Sequence, residues 1–304
     1  MTSRTRFHEP IPFMNTFQIF RKSIRFFLLQ PTLFNSAAVF LFSPYAILFF
    51  ASRFLDHYVQ AVVSFSTSEA THYSLLHRDI YLPKKTFLLV ISSIFTAVIC
   101  LPSSLTFSLL AKAAAIKAVA STYSGPNTHA QRQAASGRWT TWFKLLQMHL
   151  RELMTYTALT FVFCICMVML TTFCFAPMHS RTGITWLMIG VTGVPYCITL
   201  ANITILYNLA NVFTVLEVDC SGYLAFVKAK NLLQGRRHTA LMMALVSKII
   251  LKVVESIFEC RLHRGIGICE FLLLVSMYSS VLAMETTMNA VFYFSCKPQP
   301  SELI

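Results

Sequence analysis

The stretch "LVSKIILKVVESIFEC", residues 245–260, decides the fold. It is apolar enough to enter a bilayer, yet it carries Lys248, Lys252, Glu255 and Glu259. Their spacing, i, i+4, i+7 and i+11, puts all four on one face of a helix. Lys252 and Glu255 stand three residues apart, close enough to pair. Leu251, Val254 and Phe258, with Ile250 and Ile257, supply apolar flanks. Ionisable groups inside membrane helices are costly, so they count as functional candidates by default. Three readings stay open. The charges line a solute path, or they form a stripe buried against another helix, or the helix lies shallow with its lysines snorkelling to water.

Composition settles the surroundings of that helix. Of 304 residues, 56% are hydrophobic and 12% charged, about half the charge of a soluble domain. The apolar runs are long and continuous, so helices are expected rather than the short alternating segments of a barrel. The net charge of +13 falls between apolar runs, where bilayer orientation and anionic headgroups explain it better than nucleic acid. Nine cysteines, an odd number without a CxxC, indicate neither a disulfide framework nor a zinc site. Cys296, at the end of the last apolar run, is either ordinary filler or an acylation site. "MTSRTRFHEPIPF", residues 1–13, has no short apolar core followed by a cleavage site, so no signal peptide is expected.

Six passes are expected, near Leu33–Leu55, Thr86–Leu110, Tyr156–Ala176, Thr185–Val215, Ala240–Phe258 and Phe271–Phe294. Residues 1–32 form a cytosolic segment with an amphipathic helix. Its Phe13, Phe17, Phe20, Ile24 and Phe27 lie apart from Arg21, Lys22 and Arg25, which fits a helix in the membrane interface or one packed on the bundle. Residues 33–296 form the transmembrane domain, with cytosolic connections near 112–153 and 217–239, and 297–304 a short tail. The second pass should kink at Pro102 and continue past the bilayer to Thr122. Ser108, Ala111, Ala115 and Ala118 form a small-residue stripe there, suited to close helix approach. Residues 139–153 are amphipathic, with Trp139 and Trp142 suited to the interface, and 125–137 read as a flexible loop. Sixteen of the 25 Lys and Arg residues fall on one side of the six passes and seven on the other. Both termini are therefore expected in the cytosol.

The stretch "YNLANVFTVLEVDCSGYLAFVKAKNLLQGRR", residues 207–237, resembles the hallmark of a plant-specific family of multi-pass membrane proteins. The matching positions are Val215, Leu216, Glu217, Gly222, Ala225, Lys228, Leu232 and Gly235, with Ala229 where the family carries a serine. "VFYFSCKP", residues 291–298, is similar to the family's ending. "LLAKAAAIKAVASTYSG" is similar to its segment after the second pass, and "FQIFRKSIRFFLLQPTLF" to its opening helix. A membrane domain beside some bacterial glycerophosphodiester phosphodiesterases is loosely similar in the basic-helix segment. The resemblance implies a plant membrane protein of about six helices, and it implies no substrate, reaction or catalytic residue.

The residues that invite a role follow from charge inside apolar helices. Glu285 and Asn289, at i and i+4 of the sixth pass, share a face with Tyr278. Glu285 is expected to face Lys248 or Lys252 and neutralise it. Glu217 ends the fourth pass before Gly222, and is expected to cap the following helix rather than bind an ion. No Walker loop, GxSxG, HExxH or Rossmann fingerprint occurs, so no enzyme, cofactor or metal is expected. The expected class is an all-α polytopic bundle that serves as a non-catalytic membrane scaffold or partner-binding component. A small-solute or ion transporter or channel using the charged helix is the alternative. The expected partners are the bilayer, anionic headgroups at the basic segments, and membrane or cytosolic proteins. The expected location is the endomembrane system or the plasma membrane.

Overall fold

A computed structural model describes residues 16–29, 37–70, 90, 94, 98, 100–124, 138–175, 182–217 and 222–296. These fold as eight α-helices with no strand among the described residues: α1 Thr16–Leu29, α2 Ala37–Ala70, α3 Leu101–Ser124, α4 Arg138–Phe175, α5 Thr182–Leu216, α6 Tyr223–Leu233, α7 Arg237–Leu262 and α8 Ile268–Cys296. Four helices are long and apolar enough to cross a membrane: Leu101–Tyr123, Thr140–Leu170, Gly190–Leu216 and Ile268–Cys296. That is the character of an integral membrane protein. They coincide with the expected second, third, fourth and sixth passes. Where the first and fifth were expected, α2 and α7 are helical but are not among the four. The loop at 125–137, the tail at 297–304 and Phe13 lie outside the described residues.

α4 is one unbroken helix of 38 residues, roughly 57 Å, joining the amphipathic segment to the third pass. Of the expected second pass, Thr86–Leu110, the part from Leu101 onward falls in the apolar span Leu101–Tyr123, and most of residues 86–99 lie outside the described residues. Val98 and Cys100, just before Pro102, adopt wider π-type turns. A proline offers no N–H to the preceding turn, and a wider turn is one way a helix absorbs that loss. On α3, Ala111 and Ala115 are fully buried, while Ser108 and Ala118 are half-buried.

The chain divides into two compact units, the first drawn from residues 1–28, 116–248 and 285–304 and the second from 29–115 and 249–284. In the first unit α5 packs against α4 and α6. Tyr123 stacks on Phe294 with ring centroids 4.9 Å apart, and Lys22 of α1 lies 5.4 Å above the Tyr123 ring. On α1 the buried residues are Ile19 and Ser23, while Phe17 is 77% exposed. Phe20 and Ile24 of the expected stripe are half-buried. A wheel separates polar from apolar residues but does not say whether the apolar side meets protein or lipid.

In the second unit, Ala46 and Phe50 of α2, Leu251, Val254 and Phe258 of α7, and Leu274, Val275 and Tyr278 of α8 form one buried cluster. Phe50 and Phe258 hold ring centroids 4.4 Å apart, and Phe49 stacks on Tyr278 at 5.2 Å. Offset and edge contacts of this kind add to the dispersion gained by burial.

Candidate functional site: charged and hydroxyl networks

Three stripes run along α7. Ala240, Met243, Ser247, Leu251, Val254 and Phe258 are buried. Met242, Leu245, Ile249, Val253 and Ile257 are apolar and exposed. Lys248, Lys252, Glu255 and Glu259 lie between the two on one flank, as a 100° step per residue requires. The charged seam therefore borders the buried face rather than forming it. An exposed apolar stripe on the far side suits lipid.

The seam resolves into pairs. Lys248 Nζ stands 3.1 Å from Glu285 Oε1, and Asn208 Nδ2 donates to the same oxygen at 3.3 Å. Glu285 is 8% exposed, while the Lys248 side chain is half exposed. Lys252 pairs instead with Glu255 on its own helix. Tyr278 donates to the other Glu255 oxygen at 3.4 Å. Glu259 is exposed at the end of the seam. Asn289, one turn beyond Glu285, is half-buried. Asn211, one turn beyond Asn208 on α5, is 3% exposed, and its Oδ1 has no hydrogen-bond partner among the described residues.

The resemblance residues gather at the other end of the first unit. Lys228 Nζ donates to Glu217 Oε2 at 2.7 Å, and the Tyr293 hydroxyl donates to Oε1 at 3.1 Å. The cap position of α6 is occupied by Gly222. The expected capping role of Glu217 therefore gives way to a tie between the end of α5, the middle of α6 and α8. The reason is reach, since α6 turns its own Lys228 back toward the carboxylate and α8 brings Tyr293 to its other oxygen. Ala225 is fully buried on α6, Leu232 is half-buried, and Gly235 ends the helix at φ 86°. Tyr293→Phe should cost about 1.5–3 kcal/mol, the net worth of one hydrogen bond to a charged acceptor, read from the unfolding midpoint in detergent.

Gly222 has φ 64° and ψ −124°, a backbone region that side chains rarely enter. A Cβ there would fall 2.5 Å from Arg151 Nη1, so the guanidinium must also move. Gly235 needs positive φ too, but a Cβ there meets nothing within 4 Å. Gly222→Ala is therefore expected to lose roughly 1–3 kcal/mol and Gly235→Ala about 1. Thermal unfolding of the two variants side by side measures the difference.

A second network escaped the sequence reading. Glu152 of α4, 7% exposed, lies 3.3 Å from His149 Nδ1 and accepts a 3.0 Å hydrogen bond from the Tyr156 hydroxyl. Tyr156 also reaches Thr204 of α5 at 2.9 Å. Beside it, Thr155 and Tyr207 share a 2.8 Å hydrogen bond. The signal was present as His149, Glu152 and Tyr156 at i, i+3 and i+7, one face of an otherwise apolar helix. No group of three or more His, Cys, Asp and Glu side chains converges as a metal cage among the described residues.

No curated protein and no solved structure matches the chain. A family described as a domain of unknown function, DUF8558, matches residues 5–304. With nearly its whole length matched, the protein belongs to the DUF8558 family.

Proposed function

We propose that this membrane protein is a non-catalytic scaffold or partner-binding component, and that its charged helix holds the bundle together rather than conducting a solute. The observation that carries this reading is Glu285, nearly buried, ion-paired with Lys248 and hydrogen-bonded by Asn208. Glu217, Glu255 and Glu152 follow the same rule, each held by a cation or a histidine together with a tyrosine. A conducting path needs charges that exchange partners with the solute, whereas these are committed to the protein.

Within this reading the chain makes six passes with both termini in the cytosol, and α2 and α7 supply the first and fifth. α1 lies in the interface. The basic segments near 112–153 and 217–239 face anionic headgroups and cytosolic or membrane partners, and nucleic acid is not among them. The resemblance to the plant multi-pass family fits this arrangement. The protein resides in the endomembrane system or the plasma membrane. Purified protein reconstituted in liposomes should pass neither monovalent ions nor small polar solutes above the empty-vesicle rate. Flux that disappears in a Lys248→Met/Glu285→Gln variant of normal abundance would replace the scaffold reading with a transporter.

One observation favours that second reading. The Asn211 Oδ1 acceptor is buried, with no partner among the described residues, one turn from Asn208, and such an oxygen is of the kind that coordinates a passing cation. Ion flux reduced by Asn211→Leu would support it.

A further inference from the structure

His57 on α2 and His263 in the turn after α7 are 206 residues apart in the chain, yet His57 Nε2 and His263 Nδ1 stand 3.1 Å from each other. Both belong to the second unit. Their approach is set by the packing behind them. Phe50 and Phe258, one to two turns earlier on the same two helices, are in ring contact, and Leu262 and Ile266 on either side of His263 pack on the same cluster. Gly265, at φ 87°, turns the chain just beyond.

The ring geometry admits a second explanation of the short distance beside a hydrogen bond. A linear N–H···N bond at this separation would hold the ring centroids roughly 5.4 Å apart, since each nitrogen lies on the line between them. The observed centroid separation is 4.7 Å, with the ring planes at 73°. The rings are therefore bent away from that line, and two imidazoles ligating one ion cis would be bent in the same sense. Two imidazole nitrogens bound cis to one ion at about 2.0–2.1 Å lie roughly 2.9–3.4 Å apart, which brackets the observed value. The charge around the pair is mixed. Arg53 is spent over the Phe49 ring at 5.7 Å, and Arg261 is 3.7 Å from Glu270. Arg264 remains as a cation, opposed by Asp56 beside His57 and by Glu259 one turn before His263.

We propose that His57 and His263 chelate a divalent transition-metal ion, with water at its remaining positions. Copper(II), which heads the affinity order of the divalent first-row ions and takes imidazole readily, is the ion with which the site is tested. Such a chelate ties α2 to the turn after α7, a link that the scaffold reading does not require.

The test is a copper(II) titration of the full chain, stripped with chelator and held in lipid nanodiscs. Nitrogen coupling in the copper electron paramagnetic resonance spectrum and the metal-induced rise in unfolding temperature are both read. The proposal expects one copper per chain at the tightest site, two coupled nitrogens, and an upward shift in Tm, because the ion binds the folded pair. His57→Ala and His263→Ala should each lower that affinity by at least roughly tenfold and remove the shift, with little added by combining them. His57→Asn, which keeps a polar group, provides the same comparison if an alanine variant does not fold. Binding that survives either substitution overturns the proposal. So does a wild-type protein with no shift and no coupled nitrogen, which would leave a proton shared between two rings. Liposome flux leaves this result unaffected, so the two proposals fail separately.

Discussion

Lys248→Met should destabilise the protein by about 2–4 kcal/mol, and Glu285→Gln by distinctly less. The asymmetry follows from exposure. Removing the lysine strands a carboxylate that is 8% exposed and, among the described residues, keeps the hydrogen bond from Asn208. Removing the glutamate strands a lysine whose side chain is half exposed and can reach water along its stem. Breaking a buried pair from one side costs roughly 3–5 kcal/mol, and the partial exposure of Lys248 pulls the value down. Removing both charges together should recover most of the loss, since no buried charge is then left alone. Unfolding midpoints of the two single variants and the double variant form a cycle that isolates the coupling. If the double variant lost the sum of the two singles, Lys248 and Glu285 would be independent and the proposed bracing role of the seam would go with them.

That pair was within reach of the sequence because α7 and α8 are joined by a short turn. In an antiparallel hairpin, residues at matched distances from the turn meet, so Lys248 is at the level of Glu285 and Glu255 at the level of Tyr278. The choice between Lys248 and Lys252 was not legible, since both sit on the seam and only the register separates them. Glu217 was misread for a related reason. Local spacing suggested a cap, while its real partners, Lys228 and Tyr293, lie 11 and 76 residues away. His149 and Glu152 were absorbed into an amphipathic helix, which accounts for polar residues without asking whether they are buried. In a chain where lipid and protein interior are equally apolar, periodicity identifies a face but not what covers it. The convergence of His57 and His263 had no sequence signal, because it depends on how α2 packs beside α7.

Phe258→Ala is the other large effect expected, about 2–4 kcal/mol. Phe258 is 1% exposed, among the largest fully buried side chains, and touches Phe50 across α2 and α7. In a water-soluble core the same truncation costs about 3–5 kcal/mol, part from transfer out of water and part from the cavity left behind. A helix that stays in lipid when the bundle opens gains little from the transfer part, so the cavity and lost dispersion contacts carry the cost. Phe258→Leu should then recover more than half of the loss, because it refills most of the volume. Ile257→Ala, one residue away on the exposed apolar stripe, should cost under about 1 kcal/mol by the same reasoning, since no protein atoms close over it. Measured together in one detergent, the three variants distinguish packing from apolarity. Equal losses at 257 and 258 would mean that the buried face of α7 had been assigned to the wrong side of the helix. The core of the second unit, and the approach of His57 to His263 that rests on it, would then need to be rebuilt.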